Sequence, residues 1–115
     1  MTIWRMMAAG RAVKRKEQVM AEVTLTRHGT ENAGDSHAHL PGETAIGRLT
    51  WVTRGGARVA EHTLVPRKIG GRGVAGQLVE ALVADARAQG FRVVPACSYV
   101  AAAFDRHPEW ADLRA

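Results

Sequence analysis

Hydrophobic and polar residues follow their clearest periodic pattern in the second half of the chain. Apolar residues recur there at every fourth position, namely Val74, Leu78, Leu82 and Ala86. This spacing places them on one face of an α-helix, because one helical turn takes 3.6 residues. Gly90 follows the last turn and is typical of helix C-termini. The pattern therefore predicts an amphipathic helix over residues 74–89.

Four shorter segments carry the alternating or β-branched apolar residues that are typical of β-strands. They are Ala21–Arg27, Thr44–Val52, Arg58–Val65 and Phe91–Pro95. The turn signal Arg54-Gly55-Gly56 between the second and third segments predicts a β-hairpin. Pro66 ends the third strand, because proline has no N–H to donate to a neighbouring strand. A short last helix is expected over Tyr99–Arg106, and Pro108 ends it.

The segment from His28 to Gly42 is polar and rich in glycine, asparagine, aspartate and serine. This composition favours turns and irregular structure, and it predicts a mobile loop. The pair His37-x-His39 lies in this segment, and its two imidazoles suggest a metal site. The spacing of the pair is loose, however, and neither a cysteine nor a paired carboxylate accompanies it in the sequence. No metal cofactor is therefore expected.

The length of the chain and the distribution of its charges predict the domain organisation. With 115 residues, the chain is expected to fold as one domain. The net charge of +5 is concentrated in residues 1–20, which hold five basic residues and one acidic residue. The other residues are nearly neutral, with 11 basic and 10 acidic side chains. We expect a flexible basic extension over residues 1–20, with Met20 as an alternative first residue, and a domain over residues 21–115. Nucleic acid is not an expected partner, and binding it through residues 1–20 is the weakest functional alternative.

The single cysteine, Cys97, excludes an intramolecular disulfide and indicates a reducing, cytoplasmic environment. No apolar run approaches the roughly 20 residues that cross a bilayer, so no membrane partner is expected. An exposed sheet edge in so small a domain could pair with a second copy. The expected state is therefore a monomer or a weak homodimer.

A glycine-rich stretch from Gly71 to Gly76 separates the third strand from the long helix. Glycines at a helix N-terminus let backbone N–H groups approach a phosphate, and Arg72 adds a positive charge. The stretch lacks the Gly-Lys pair of a nucleoside-triphosphate loop. No acidic residue lies between Asp85 and Asp105 to hold the ribose of a dinucleotide. A loop for the diphosphate of coenzyme A needs neither feature, and a plain turn before the helix is the alternative.

The sequence around this stretch resembles the acetyl-CoA loop of the GCN5-related N-acetyltransferases, whose pattern is Arg/Gln-x-x-Gly-x-Gly/Ala. Gly73 and Ala75 match the pattern, whereas Gly70 stands where the family has arginine or glutamine. A subfamily of short, single-domain predicted acetyltransferases is more similar still, although Ser98 and Ala103 depart from its usual residues. Its three motifs occur in the same order within residues 44–113, as His62-Thr63-Leu64-Val65-Pro66, Val93-Val94-Pro95-Ala96-Cys97 and His107-Pro108-Glu109-Trp110.

This resemblance implies an α+β fold, with a mixed, mostly antiparallel twisted sheet, a helix after the acetyl-CoA loop and a short C-terminal helix. It also implies acetyl-CoA as cosubstrate. The strand that ends at Pro66 would separate from the strand at residues 91–95, and the pantetheine arm would lie in the gap. The residues implied to bind acetyl-CoA are Leu64, Val65, Gly70, Gly71, Arg72, Gly73, Val74, Ala75 and Gly76.

Three residues near the implied position of the thioester are candidates for the chemistry. Cys97 is a candidate acyl acceptor or a thiol that guards the site, and the alternative is a small buried apolar residue. His62 is a candidate general base, or a structural histidine bonded to backbone. Tyr99 is a candidate acid that protonates the leaving thiolate, or a core tyrosine with its hydroxyl at the rim. His107 and Trp110 are expected to pack rather than to bind a ligand.

The activity that the resemblance implies is transfer of an acetyl group from acetyl-CoA to an amine on a small molecule or a peptide. The acceptor itself is not identified by the sequence. A non-catalytic coenzyme A-binding or regulatory module of the same fold is the alternative.

Overall fold

The computed structural model describes residues 22–115, so that Trp4, Met20 and the basic segment 1–20 lie outside the described part of the chain. Five strands form one sheet in the order β1-β2-β3-β4-β5. The strands are Thr24–Gly29 (β1), Ala33–His39 (β2), Ile46–Arg54 (β3), Ala57–Leu64 (β4) and Arg92–Pro95 (β5). The helices are Val74–Gln89 (α1) and Ser98–Arg106 (α2), with short 3-10 helices at Arg67–Ile69 and Pro108–Leu113.

The sheet is mixed, with antiparallel neighbours from β1 to β4 and a parallel pairing of β4 with β5. The parallel pairing follows from the connection, because α1 crosses from one strand to the other. The α+β fold predicted from the sequence is therefore confirmed. None of the helices described in residues 22–115 has the length and apolarity needed to cross a bilayer.

Residues 33–39, within the segment predicted to be a mobile loop, form strand β2, so the prediction is wrong for these residues. β2 pairs with β1 on one side and with β3 on the other. Ser36 and Ala38 are buried in the strand, and Leu40 is buried directly after it. Glycine, serine and alanine are weak strand formers, but their small side chains let α1 pack closely on the sheet. Tertiary packing thus outweighs local preference here.

The core lies on the face of the sheet that α1 covers as it packs across β2 and β3. Gly47 in β3 permits this close contact, since a Cβ at this position would lie 2.7 Å from Cγ1 of Val74. Leu49 and Leu78 are buried in the same layer. A larger residue at position 47 would push the first turn of α1 away from the sheet.

The opposite side of the sheet is here called the polar face, and we define it by Asp35, His37, Arg48, His62 and Leu64. Cross-strand register pairs His37 with Arg48 and Arg48 with Leu64. The alternation of side chains along β2 and β4 adds Asp35 and His62. One side of the sheet therefore carries the buried core, and the other carries polar, partly exposed groups.

The C-terminal segment 107–113, which contains the His-Pro-Glu-Trp motif, packs on α1. Arg87 of α1 donates a hydrogen bond to the carboxylate of Asp112 at 3.0 Å. The ring of His107 stacks on the ring of Trp110, with their centroids 4.0 Å apart. Phe104 meets the same indole edge-on at 5.4 Å. His107 and Trp110 are therefore packing residues, as the sequence predicted.

Replacing Trp110 with alanine should lower the free energy of unfolding by about 3–5 kcal/mol, the usual cost of removing a buried aromatic side chain. Trp110 is 9% exposed and has an aromatic ring on each of two sides. Asp112→Asn is the matched control in the same segment, because the Asp112 side chain is 65% exposed and its ion pair is a surface pair. Urea denaturation of both variants measures the difference. Equal midpoints for the two variants would contradict the packing role of Trp110.

Candidate functional site

A cleft opens where β4 and β5 separate. The two strands pair only from Ala57 with Arg92 to Ala60 with Pro95. β4 continues to Leu64, whereas the segment after β5 turns away from β4 into α2. The last backbone hydrogen bond described between the two segments is donated by the N–H of Cys97 to the carbonyl of Ala60, at 2.9 Å. Within the described residues, the β5 side of β4 beyond Ala60 thus has no strand partner. This separation is the one that the sequence resemblance implied.

A β-bulge in β4 lies at the opening of the cleft. Trp51 of β3 is opposite Ala60, and the preceding residue, Thr50, is opposite His62. Glu61 is therefore the extra residue in β4. Bulges increase the local twist of a strand and occur often beside active sites. The bulge here bends β4 at the residue after which its pairing with β5 ends. No residue type in the sequence marks the position of this bulge.

The bulge decides which side chains face which side of the sheet. Beyond it, Thr63 is opposite Leu49, so it lies on the face that α1 covers. His62 and Leu64 share the polar face, because they lie opposite Thr50 and Arg48 of β3. The candidate base His62 and the hydroxyl of Thr63 therefore lie on opposite sides of the same strand.

The thiol of Cys97 lies beside Thr63, with its Sγ 3.6 Å from the Thr63 Oγ1. Cys97 immediately precedes the first turn of α2 and is partly buried. Burial raises the pKa of the Cys97 thiol, but interactions with the backbone of Val100, the Thr63 hydroxyl and the backbone of Tyr99 together lower it by more. The pKa of the thiol therefore lies below its ordinary value. A lower pKa gives more of the nucleophilic thiolate at neutral pH.

The glycine stretch leads directly into α1. Gly71 and Gly73 have positive φ angles, 77° and 76°, in a region that residues with a side chain rarely adopt. Gly73 is the N-cap of α1, and the first helical hydrogen bond runs from Gln77 N–H to its carbonyl at 3.1 Å. The N–H groups of Val74, Ala75 and Gly76 therefore have no acceptor within the helix. The first turn of α1 also holds no acidic residue, so it suits an anion.

Gly70, the residue that departs from the acetyl-CoA loop pattern, has an ordinary extended conformation, with φ −69° and ψ 156°. A side chain is therefore compatible with its backbone. The loop is fixed to the core by Ile69, which is fully buried.

Glu43, which lies between the predicted loop and the predicted second strand, pairs with Arg72 of the glycine stretch and with Lys68 just before it. Its carboxylate lies 3.4 Å from Arg72 Nη2 and 3.9 Å from Lys68 Nζ. The Glu43 side chain is only 17% exposed. The positive charge that Arg72 was expected to offer a phosphate is thus shared with an internal carboxylate.

Two large apolar side chains are exposed among the described residues, and both flank the cleft. Leu64 at the end of β4 is 50% exposed, and Tyr99 at the start of α2 is 37% exposed. The Tyr99 hydroxyl lies next to the first turn of α1, 3.8 Å from where a Cβ on Gly76 would be. The fold therefore brings Tyr99, Cys97 and the glycine stretch together on one side of the cleft.

A pocket of about 500 Å³ opens at the end of β4. It is lined by Ile46, Arg48, Thr63, Leu64, Val65 and Pro66. The family resemblance implied ligand binding by Leu64 and Val65, whereas Arg48 and Thr63 were not among the predicted site residues. Thr63 stands inside the His-Thr motif, and this was the available signal. Arg48 had no such signal, because one arginine in a strand usually points to solvent.

The residues present fit a coenzyme A thioester. The N–H groups of the first turn of α1 have no acceptor within the helix and follow two positive-φ glycines, an arrangement that suits a diphosphate. The unpaired edge of β4 offers backbone groups to an extended, amide-containing arm. His37 and His39, the sequence candidates for a metal, instead contact Asp35 and Thr26. In residues 22–115 there is no group of three or more histidine, cysteine, aspartate or glutamate residues arranged to hold a metal ion.

Family similarity covers most of the described chain. The profile of a family described as GCN5-related N-acetyl-transferase matches residues 37–113, about two thirds of the sequence. The matched region contains β3, β4, β5, both α-helices and the C-terminal segment. No match is found among curated proteins.

Substitution of Gly73 with alanine should cost about 1–2 kcal/mol of stability, because its φ of 76° is unfavourable for any residue with a Cβ. Gly70→Gln restores the family residue at a position with an ordinary φ, and it should leave stability nearly unchanged. Its new Cβ would meet the Arg67 carbonyl oxygen at 3.3 Å, which needs only a small adjustment. Denaturant unfolding of both variants measures this. A Gly70→Gln variant as unstable as Gly73→Ala would contradict the assigned loop conformation.

Alkylation of Cys97 by iodoacetamide should reach half its maximal rate at a pH below the ~8.5 expected for a free cysteine. Thr63→Val removes the hydroxyl but keeps the shape, and it should move this midpoint to higher pH. Thr63→Ser is the matched control that keeps the hydroxyl, and it should retain the low midpoint. The rate at each pH can be followed by intact mass, since Cys97 is the single cysteine of the chain. An unchanged midpoint in Thr63→Val would show that the hydroxyl does not stabilise the thiolate.

Proposed function

Because the chain belongs to the GCN5-related N-acetyltransferase family, we propose that it uses acetyl-CoA to transfer an acetyl group to an amine. Family membership supports acetyltransferase-type activity in general. The specific parts of this proposal are the acyl donor, acetyl-CoA, and the class of acceptor, an amine.

One observation carries the proposal: β4 separates from β5 after Ala60, beside the N-terminus of α1. The unpaired strand edge, the glycine cradle and the Cys97 thiol converge at this opening. A plain turn before a helix would need none of these features at one place. Their convergence supports a ligand with a diphosphate at one end and a thioester at the other.

The roles of the backbone follow from this arrangement. The N–H groups at the start of α1, from Val74 to Gly76, would bind the diphosphate, assisted by the Arg72 charge. Backbone groups of Leu64 and Val65 would hold the pantetheine arm and the thioester carbonyl. A backbone N–H directed at that carbonyl oxygen would stabilise the negative charge that develops during transfer.

Direct transfer from the thioester to the amine needs two proton movements. The amine nitrogen attacks the carbonyl carbon, the carbon–sulfur bond breaks, and the thiolate of coenzyme A takes up a proton. His62 on the polar face is the candidate to accept the proton of the amine. Tyr99 at the mouth of the cleft is the candidate to donate a proton to the thiolate.

A route through Cys97 is the alternative chemistry. Its thiolate would attack the thioester carbonyl carbon and release coenzyme A as the leaving thiolate. The amine would then attack the acyl carbon, the bond to the Cys97 sulfur would break, and the proton of the amine would return to the sulfur, which leaves the amide and free Cys97. The lowered pKa of the Cys97 thiol and its contact with Thr63 favour this assignment over an inert buried cysteine. A non-catalytic module that only binds coenzyme A is the alternative function.

Coenzyme A should stabilise the protein against heat, whereas NAD and ATP should not. At about 100 times the dissociation constant, a ligand that binds only the folded state adds about 2.7 kcal/mol of stability. Gly73→Ala should reduce the coenzyme A-dependent rise in Tm, because it distorts the cradle. Differential scanning fluorimetry measures all three ligands on both proteins. The absence of a shift with any acyl-CoA would overturn the proposal.

Turnover distinguishes the enzyme from the binding module and the two chemical routes from each other. We expect coenzyme A release with acetyl-CoA and an amine panel. If transfer is direct, release continues in Cys97→Ala. If it passes through Cys97, intact mass shows an acetylated protein that Cys97→Ala does not form. Binding of coenzyme A without turnover on any amine would favour the non-catalytic module.

A further inference from the structure

The pocket opens at the end of β4, and three of its lining residues, Ile46, Arg48 and Leu64, lie on the polar face, opposite the glycine stretch. Ile46 and Arg48 project from alternate positions of β3 on the polar face, and Leu64 is directly across from Arg48. The N-terminus of α1, in contrast, packs on the other face through the contact of Val74 with Gly47. An acyl donor bound at the glycine stretch, with its arm between β4 and β5, would therefore direct its thioester toward this pocket from the side of the sheet that α1 covers.

The lining of the pocket is mostly apolar, with Arg48 and Thr63 as its two polar residues. Ile46, Leu64, Val65 and Pro66 provide hydrocarbon surface, and the guanidinium of Arg48 provides the single full charge of the lining. A volume of about 500 Å³ is within the range of sites for small molecules. Such a pocket suits a small ligand with an apolar body and one anionic group.

The charge of Arg48 is only weakly compensated within residues 22–115. Its Nε lies 3.8 Å from Oδ2 of Asp35, near the limit of an ion pair. The same carboxylate oxygen is hydrogen-bonded to His37 Nε2 at 3.0 Å. The Arg48 side chain is 47% exposed, so most of its planar set of N–H donors remains available to a ligand. Guanidinium groups bind carboxylates with two parallel hydrogen bonds.

We infer that the acceptor amine carries a carboxylate, and that Arg48 binds this carboxylate in the pocket on the polar face. This inference rests on the proposed acetyl transfer and names the chemical class of its acceptor. Arg48 is then a specificity residue: it holds the anionic end of the acceptor, while the amine end reaches the thioester near His62. An amino acid with a free carboxylate is the simplest molecule of this class.

The test compares ω-amino acids from glycine to 6-aminohexanoate with their carboxamides, which keep the amine and lose the negative charge. In the wild type, the kcat/KM of the best acid should be at least about tenfold above that of its amide, because a charge-assisted hydrogen bond to Arg48 contributes about this factor. Arg48→Gln should reduce this ratio to about one. Arg48→Lys should retain part of the preference for the acid, because lysine keeps the positive charge but cannot form the bidentate pair of hydrogen bonds. Short peptides with the same amine and a free or amidated C-terminus distinguish a peptide carboxylate from that of a free amino acid.

Arg54→Gln is the matched control. Arg54 is exposed on the same strand and by alternation on the same face, but it lies six residues, roughly 20 Å, from Arg48. It should leave the ratio of acid to amide unchanged. A wild type that does not distinguish acids from amides would overturn the inference. So would a preference for acids that survives in Arg48→Gln.

Calorimetric titration of the acids and amides into the protein gives a readout that does not depend on turnover. The wild type should bind the best acid at least about tenfold more tightly than its amide, and Arg48→Gln should abolish the difference. If coenzyme A produces no thermal shift but this binding difference is present, the proposed donor fails and the Arg48 site stands. If coenzyme A binds and the difference is absent, the Arg48 inference fails and the donor site stands.

Discussion

The parallel pairing of β4 with β5 ends after Ala60, and the candidate site depends on this interruption. α1 imposes the parallel direction on β5, and the chain then turns into α2 after only four strand residues. The bulge at Glu61 adds twist to β4 at the same level. Backbone groups that a longer ladder would have used are thereby left without a strand partner in the described part of the chain. They lie where the glycine stretch and the start of α2 meet.

The bulge also divides the site between the two faces of the sheet. Thr63 and the Cys97 thiol lie on the side that the helices cover, and His62 and Arg48 lie on the polar face. An acyl donor held from the helix side and an acceptor held from the polar side would thus meet across one strand. In the proposed arrangement, the sheet itself would separate the two substrates.

The rigidity of the donor side comes from the core rather than from the loop. Ile69 is fully buried directly before the glycines, and Gly47 brings the first turn of α1 against β3. Glu43 lies within ion-pair distance of Arg72, at 3.4 Å, and near the limit of that distance from Lys68, at 3.9 Å. Groups held in this way lose little conformational entropy when a ligand arrives. The Glu43 carboxylate also reduces the positive potential of the loop. In the proposed site, the backbone N–H groups would therefore contribute more to phosphate binding than Arg72 alone.

The sequence by itself determined α1, the glycine stretch before it, the β3–β4 hairpin and the end of β4 at the following proline. Each depends on local chemistry: a 3.6-residue apolar period, glycine conformations or a missing N–H. Through resemblance, it also placed Cys97 beside the cleft. Only the tertiary structure decided that residues 33–39 form a central strand, that β4 carries a bulge, and that Arg48 lines a pocket. Register and burial depend on which surfaces pack together, and no local residue preference encodes that choice.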